Sequence, residues 1–271
     1  MKKAFVIAMV LLMSLSLAFA GASSEKATTN DIECGIMNWQ EPSDLEIFPH
    51  PAIGEWKQYT SLTSMILDLN AGNVEYLLVP TSVANYLKAQ DDSLTVAPGG
   101  KGVPTEIRMA VRKDDSELFG ILEQGITTLR NNGTLEKLVD EYIASISVSD
   151  DGIETAKTGK SYVVGVTGDL PPMDYVASDG NPSGFNVALM NEIAKTQDVS
   201  FTFVQVDAEA RLVALTSKRI DVIFWYGNVE GYTSQREELL VTSSYYKDGI
   251  SYVTKSFDMK RIQEAMDNMD K

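Results

Sequence analysis

Cysteine and histidine are almost absent from this sequence of 271 residues, which contains one of each, Cys34 and His50. A single thiol cannot form an internal disulfide, so the fold has to be stabilised by its apolar core. Two Cys or His residues are also too few for the four-ligand set of a structural zinc site. We therefore expect a chain without disulfides and without a bound metal.

Long apolar runs are missing after the first 20 residues. Those residues carry Lys2 and Lys3, an apolar run and then Ala18-Phe19-Ala20, the small-x-small pattern that signal peptidase recognises. The run is short for a spanning helix, so the alternative, an uncleaved membrane anchor, is disfavoured. The sequence predicts a signal peptide at residues 1–20, cleaved near Ala20, and a periplasmic or secreted protein.

Basic residues are scarce relative to acidic ones. The whole chain has 23 Lys and Arg against 38 Asp and Glu, and the predicted loss of Lys2 and Lys3 changes its formal charge from −15 to −17. Such a surface repels phosphate backbones, so nucleic acid is not an expected partner. The simplest use of the acidity is solubility in an exported protein.

The remaining sequence alternates short β-rich runs with helical ones, which is typical of an α/β fold. A polar stretch at 147–161 lacks apolar periodicity and predicts a linker between two such segments. Residues 65–75 and 212–221 each read as a helix, a polar turn and a buried strand, a weak internal repeat that chance could also produce. Strands are predicted at 32–37, 74–79, 107–111, 162–166, 201–206 and 220–225, and helices at 63–70, 83–89, 118–129, 186–195, 211–216 and 258–269.

Several stretches in the second half of the chain resemble one protein family. They are Val164-Gly165-Val166-Thr167-Gly168-Asp169-Leu170-Pro171-Pro172, Ser183-Gly184-Phe185-Asn186-Val187, Ala210-Arg211-Leu212-Val213-Ala214-Leu215 and Tyr245-Tyr246-Lys247-Asp248-Gly249. Residues 162–255 are similar to the first half of an extracellular solute-binding protein of family 3, the polar amino-acid type. The resemblance implies a two-lobe periplasmic-binding-protein type 2 fold.

The first half of the chain, residues 58–143, resembles the second half of the same family. The matching stretches are Asn70-Ala71-Gly72-Asn73-Val74, Met109-Ala110-Val111-Arg112-Lys113 and Asn132-Gly133-Thr134-Leu135-Glu136-Lys137-Leu138. The two halves therefore stand in reversed order, which indicates a circular permutation, since chain ends close together at a surface tolerate such rearrangement. A fragment spanning the junction of a tandem gene pair is the alternative.

The permuted arrangement predicts the domain boundaries. Lobe B comprises residues 31–105 plus 258–271, and lobe A comprises residues 113–249, including the linker. The strands that cross between the lobes lie at 106–112 and 250–254.

The resemblance implies a monomeric binding protein that captures a small polar ligand, an amino acid or related carboxylate, for the membrane permease of an ABC transporter. A membrane sensor as partner, a degenerate module without a ligand, and a dehydratase-like enzyme on the same fold are the alternatives. Enzyme activity is not expected, because His50 lies between two prolines and no phosphate-binding glycine loop is present. No cofactor is expected either.

On lobe A the family places an arginine for the ligand's carboxylate at the position of Arg236, and a guanidinium suits that task because its planar fork donates two parallel hydrogen bonds. Trp225 and Tyr226 end a predicted strand at the cleft rim, where one of them could cover the apolar part of a ligand. Gly227 and Asn228 follow as candidate hydrogen-bonding residues.

On lobe B the resemblance implies ligand contacts from the loop after the first strand, at Asn38 and Trp39, and from Thr81 and Ser82 after a later strand. The family has an aspartate there for the ligand's ammonium group, and this sequence has Pro80 instead. Burying an ammonium group in a dry cleft without a counter-charge costs several kcal/mol. This cost is comparable with the whole binding free energy of about 8 kcal/mol at micromolar affinity.

Two solutions to the missing charge stay open. Asp169, at the end of a lobe A strand, or Glu230 could supply the carboxylate. Otherwise the ligand is a carboxylate without an ammonium group.

Overall fold

The computed structural model describes residues 32–38, 53–99, 105–146, 148–149, 151–157, 159–228 and 237–255. The predicted signal peptide and the predicted C-terminal helix at 258–269 lie outside the described residues. Within the described ranges, none of the helices combines the length and the apolar character needed to cross a bilayer.

The described chain contains fourteen strands and six α-helices. The strands are β1 (Ile32–Met37), β2 (Ile53–Tyr59), β3 (Tyr76–Pro80), β4 (Thr95–Pro98), β5 (Thr105–Arg112), β6 (Lys160–Val166), β7 (Asp169–Leu170), β8 (Asp174–Val176), β9 (Pro182–Ser183), β10 (Val199–Gln205), β11 (Val222–Asn228), β12 (Leu239–Val241), β13 (Tyr246–Asp248) and β14 (Ile250–Thr254). The helices are α1 (Leu62–Ala71), α2 (Thr81–Gln90), α3 (Ser116–Asn131), α4 (Thr134–Leu138), α5 (Phe185–Gln197) and α6 (Arg211–Thr216), with a π-helical turn at Val139–Ala144 and a 3₁₀ turn at Ala208–Ala210.

Two mixed sheets form the centres of the two lobes. The first sheet has the order β2-β1-β3-β14-β4, and the second has the order β10-β6-β11-β5-β12, with β13 also paired to β5. In each sheet the first three strands are parallel, and the strand that arrives from the other half of the chain runs antiparallel to its neighbours. The chain thus passes between the sheets at β5 and again at β14.

The strands of the two sheets are connected in the same order. A topology diagram therefore looks the same whichever lobe comes first in the chain. A circular permutation that swaps the lobes therefore leaves the strand order unchanged. For this reason the sheets agree with both chain orders, and the permutation stays a prediction.

The strand register shows that the weak sequence repeat is a structural repeat. Cys34 of β1 pairs with Tyr76 of β3, and Val164 of β6 pairs with Val222 of β11 in the same way. The next residue in each first strand is a glycine. A Cβ atom at Gly165 would lie 2.6 Å from the Ile220 side chain, so this close packing requires glycine.

The helix that precedes the third strand repeats as well. Helix α1 ends at Gly72 with φ 74°, and helix α6 is followed by Lys218 with φ 63°, at the equivalent position. One turn earlier, Leu67 and Val213 are both exposed, at 63% and 67%. These matches make α1 and α6 equivalent elements of the two lobes.

Two parts of the fold differ from the sequence-based expectation. Strand β2 was not predicted, nor was the small sheet β7-β8-β9 that folds over the carboxyl end of β6. The predicted linker is not a free tether where it is described, because Ile153 donates its N–H to the Pro182 carbonyl at 2.9 Å and Ala156 donates to Asn191 Oδ1 at 2.9 Å. Backbone N–H and C=O groups that lose water on packing need hydrogen-bond partners. The polar sequence of the predicted linker does not indicate which partners its backbone finds.

Arg112 fastens the crossing strand β5 to the α6–β11 turn. Its side chain donates to the carbonyls of Leu215 at 3.0 Å and Ile220 at 2.6 Å, and it forms ion pairs with Asp221 at 2.7 Å and with Asp115. The Arg112 side chain is only 10% exposed, so its charge is largely shielded from solvent, while both carboxylates are half-buried.

Replacing Arg112 is expected to destabilise the protein strongly. An Arg112→Leu variant leaves two carboxylates and two carbonyls without their donor, and breaking a buried pair on one side costs about 3–5 kcal/mol. Urea unfolding measures this loss. The neighbouring exposed residue gives a matched control, Lys113→Leu, which should change the free energy of unfolding by less than about 0.5 kcal/mol. Equal stability of the two variants would contradict the role assigned to Arg112.

The permutation predicts that the chain can be opened at its linker. A gene reordered to encode residues 159–271 followed by 21–158 should yield the same fold and a similar melting temperature, because no buried element is cut. Opening the chain instead after Ile126, which is fully buried in α3, should prevent folding. Circular dichroism and thermal melting measure both outcomes, and failure of the first chain to fold would contradict the permutation.

Candidate functional site

The carboxyl ends of the parallel strands of the two sheets meet across the interface between the lobes. Asn38, directly after β1, donates its side-chain N–H to Glu209 Oε2 at 3.2 Å. Thr63, in the first turn of α1, donates its backbone N–H to Asp169 Oδ2 at 3.2 Å. In α/β sheets the crevice outside the carboxyl ends of the strands is where ligands bind. This interlobe crevice is the candidate site.

The two bridges across the crevice are related by the structural repeat. Thr63 and Glu209 occupy equivalent positions, each in the first helical residues before the third strand of its lobe. Each binds the loop that follows the first strand of the opposite lobe, at Asp169 and at Asn38. The crevice therefore has an approximate two-fold arrangement of polar contacts.

Asp169 is one of the predicted ligand residues, and the structure places it in the crevice. Its carboxylate faces the start of α1, where the N–H of Thr63 and the positive end of the helix dipole stabilise negative charge. Burial nevertheless raises the pKa of Asp169 above its ordinary value, with nearby Asp174 and Asp207 acting in the same direction. Asp169 is thus already engaged with the opposite lobe.

The neighbours of Asp169 belong to the core. Leu170 is fully buried in the main apolar cluster. The hydroxyl of Tyr175 accepts the N–H of Ser149, in the predicted linker, at 2.8 Å and the hydroxyl of Ser183 at 3.1 Å. Tyr175 is 7% exposed, so its ring is part of the packing.

Arg211 lies at the same edge of the second sheet. It begins α6, and its Nη1 donates to the Phe224 carbonyl at 3.0 Å. Burial lowers the pKa of Arg211 to about 10, while Asp174 and Tyr245 act in the opposite direction. A guanidinium with a lowered pKa is held in a site where its charge is costly.

Strand β11 carries four more of the predicted ligand residues: Trp225, Tyr226, Gly227 and Asn228. The structure describes their backbone but not their side chains. The register with β5 shifts between Ile223 and Tyr226, which places a bulge at the predicted rim of the site. Bulges are frequent beside functional sites because they change the direction of a side chain. Arg236, Trp39 and Glu230 lie outside the described residues.

Thr81 and Ser82 lie at the hinge, where the chain returns from the second sheet to the first. Thr81 donates its N–H to the Gly249 carbonyl at 2.9 Å, and its hydroxyl lies 2.9 Å from that of Ser251. Ser82 directs its hydroxyl to Asp248 Oδ2 at 2.6 Å. Both side chains are therefore engaged with the returning chain, and their predicted ligand contacts stay a prediction.

Asp248 is a buried carboxylate that the sequence reasoning did not single out. It is 4% exposed and accepts the backbone N–H of Ser82 at 3.3 Å and that of Gly249 at 2.8 Å. Burial raises its pKa. Helix α2 begins after Pro80 without a side-chain cap of its own, so the Asp248 carboxylate serves as its cap from another strand. The signal available in the sequence was the position of Asp248 in the family-like stretch Tyr245-Tyr246-Lys247-Asp248-Gly249.

The raised pKa of Asp169 predicts that lobe contact is favoured by acid. A carboxyl group whose pKa is higher in the closed form contributes stability to that form at low pH, and the contribution is lost as the pH rises above about 4. Between pH 4 and pH 7 the lobes should separate more readily, and small-angle scattering should show a larger radius of gyration.

An Asp169→Asn variant should remove this dependence, because an amide does not titrate in that range. The matched control is Asp198→Asn, at an exposed position with φ 50° that asparagine also tolerates. If Asp169→Asn and the wild type responded equally to pH, the contact at α1 would not control closure.

Comparison with known proteins gives a family match. Residues 162–266 match the model of the bacterial extracellular solute-binding proteins, family 3. The chain is also 27% identical over 122 residues to the L-cystine-binding protein TcyJ of Escherichia coli strain K12, covering 45% of each chain, and to its counterpart in strain O6:H1 with the same values. The chain thus spans about half the length of the curated relatives it matches.

Solved structures provide more distant likenesses. The GluR0 ligand-binding core in complex with L-glutamate is 15% identical, with a TM-score of 0.45 and coverage of 90% of this chain and 93% of that one. A mutant of ArgBP from T. maritima is 12% identical, with a TM-score of 0.44 and coverage of 88% and 87%. The two helix-covered sheets and the family match confirm the predicted two-lobe α/β fold class. Residues 162–266 are thus similar to the bacterial extracellular solute-binding proteins, family 3.

Proposed function

We propose that this chain is an extracytoplasmic solute-binding protein that captures a small polar ligand between its lobes, an amino acid or a related carboxylate. The observation that supports this most is the crevice itself, where polar side chains from both lobes converge at the carboxyl ends of the strands. Binding there and closing the lobes would bury a small ligand between two preformed surfaces.

The partner proposed for the loaded protein is the permease of an ABC transporter. The family match supports delivery of a solute to a membrane protein, and the apolar run at residues 1–20 supports export of the chain. In this proposal the protein acts as a monomer, and its two lobes together form the ligand site.

Ligand recognition is proposed to begin with Arg236, which would hold a carboxylate through paired hydrogen bonds. Trp225 or Tyr226 would cover the apolar part of the ligand, and Gly227 and Asn228 would add polar contacts at the end of β11. Asn38 and Trp39 would complete the site from the other lobe. Thr81 and Ser82 would reach a ligand only through rearrangement at the hinge.

The charge opposite a ligand's ammonium group is the open question of this proposal. Pro80 stands where the resemblance implies an aspartate, and the hinge carboxylate Asp248 already accepts hydrogen bonds from Ser82 and Gly249. Asp169 could bind the ammonium group after its contact with Thr63 of the other lobe breaks. Binding of a positively charged ligand would then depend on movement of the lobes. A carboxylate ligand without an ammonium group avoids this requirement.

Titration calorimetry with the twenty amino acids, L-cystine and simple mono- and dicarboxylates tests the proposal. We expect at least one carboxylate to bind, and Arg236→Ala to weaken it about 10- to 100-fold, the range for losing a charge-assisted hydrogen-bonded contact. The exposed Arg219 gives the matched control, Arg219→Ala, which should bind normally.

Two results would contradict the proposal in different ways. Unchanged affinity of Arg236→Ala would reject the role of that arginine. Absence of binding and of any ligand-dependent rise in melting temperature across the panel would favour a module that no longer binds a solute.

A further inference from the structure

The predicted linker lies on lobe A as an ordered strap. This strap comprises residues 148–149 and 151–157, the part of the linker that the structure describes. Two of its side chains, Ile153 and Ala156, are partly buried against the main apolar cluster. A segment that only joined two chain ends would need no such anchors, because a flexible polar chain closes a gap at little cost in free energy. The strap is therefore held at a particular place on the lobe.

Hydrogen bonds fasten the strap to the small sheet β7-β8-β9. Ser149 donates its backbone N–H to the Tyr175 hydroxyl in β8 at 2.8 Å, and that hydroxyl donates to the Ser149 carbonyl at 3.3 Å. Ile153 donates its N–H to the Pro182 carbonyl at 2.9 Å, at the edge strand β9. The strap thus binds two of the three strands of this sheet.

The strap approaches the sheet most closely at Gly152. This residue donates its N–H to Asp179 Oδ2, in the turn between β8 and β9, at 3.0 Å. A Cβ atom at position 152 would lie 2.2 Å from Cβ of Asn181 and 3.0 Å from its backbone. Packed atoms do not approach each other so closely, so a larger residue at position 152 has to move the strap away from the turn.

The same small sheet carries the carboxylate that reaches the other lobe. In the strand register, Asp169 of β7 lies opposite Tyr175 of β8, and Tyr175 lies opposite Ser183 of β9. The Ser183 hydroxyl also donates to the Tyr175 hydroxyl at 3.1 Å. Strands β7 and β9 have only two residues each. Such short strands are not stable by themselves, so the position of Asp169 depends on what holds the rest of the sheet.

We propose that the strap is a positioning element of the crevice, which acts through β8 and β9 to hold the Asp169 carboxylate at the N–H of Thr63. That hydrogen bond joins lobe A to lobe B. The segment that joins the two family-like halves of the chain therefore also determines how firmly the lobes close. The inference concerns the free protein, so it does not depend on which solute the crevice binds.

Spin labels on one exposed residue of each lobe measure closure directly. Asn85→Cys in α2 of lobe B and Thr127→Cys in α3 of lobe A supply the labelling sites. The native Cys34 is fully buried, so its thiol should not react with the label. Double electron–electron resonance then gives the distribution of distances between the lobes in the free protein.

Two variants of the labelled protein loosen the strap in different ways. Gly152→Ala introduces the clash with Asn181, and Tyr175→Phe removes the hydroxyl that binds Ser149. Each should raise the ratio of open to closed protein about 5-fold, the effect of losing about one net hydrogen bond. The matched control is Gly120→Ala, at an exposed position of α3 with open space around its Cβ, and it should leave the distance distribution unchanged.

A double-mutant cycle separates positioning from general stability. Asp169→Ala removes the acceptor for the Thr63 N–H and should open the lobes by itself. In that background Gly152→Ala and Tyr175→Phe should cause no further opening, although both still lower the melting temperature.

Additive opening in the cycle would overturn the inference, because the strap would then act on the lobes by another route. Unchanged distances in the single strap variants would overturn it as well, whatever their melting temperatures. If Gly152→Ala does not fold, Tyr175→Phe decides the question, since it keeps the aromatic ring in place.

Discussion

The crevice depends on two contacts between the lobes. In each contact, the loop after the first strand of one lobe meets the first helical residues of the other lobe. Asp169 meets the N–H of Thr63, and Asn38 meets Glu209, at positions that the structural repeat makes equivalent. Because both contacts lie at the carboxyl ends of parallel strands, they hold together the same two edges between which a solute would have to enter. A ligand that binds there must therefore replace these two bridges with polar contacts of its own.

Much of the fold could be predicted from the sequence, because it is determined by local patterns. Apolar runs of strand length produced β1, β5, β6 and β14, and periodic apolar residues produced α1, α3 and α5. The two-lobe α/β class followed from that alternation together with the family resemblance in residues 162–255, which the family match confirms. Strand β2 was not predicted because its sequence, Ile-Gly-Glu-Trp-Lys-Gln-Tyr, contains charged residues. Such residues are common in an edge strand, and β2 lies at the edge of the first sheet.

The site was harder to predict, because its contacts join residues far apart in the chain. Ser82 and Asp248 lie 166 residues apart and meet only because β14 inserts between β3 and β4. The family resemblance implied a ligand contact for Ser82, and the structure adds that its hydroxyl is directed to Asp248 at the hinge. Arg211 was visible within a family-like stretch, but its contact with Phe224 follows from tertiary structure. Asp169 was expected near the crevice because it comes shortly after a clearly predicted strand, and the structure places its carboxylate at Thr63 of the other lobe.

Charge distribution connects these observations. The predicted mature chain is strongly acidic, and an acidic surface alone would repel a carboxylate. Arg211, whose guanidinium donates to the Phe224 carbonyl of β11, supplies positive charge at this edge of the second sheet. Two carboxylates of the second lobe are held by protein donors: Asp174 by Thr167 and Asn186, and Asp169 by Thr63. In the proposed function, Asp169 is the carboxylate whose release from Thr63 by lobe opening would admit a positively charged group of a ligand.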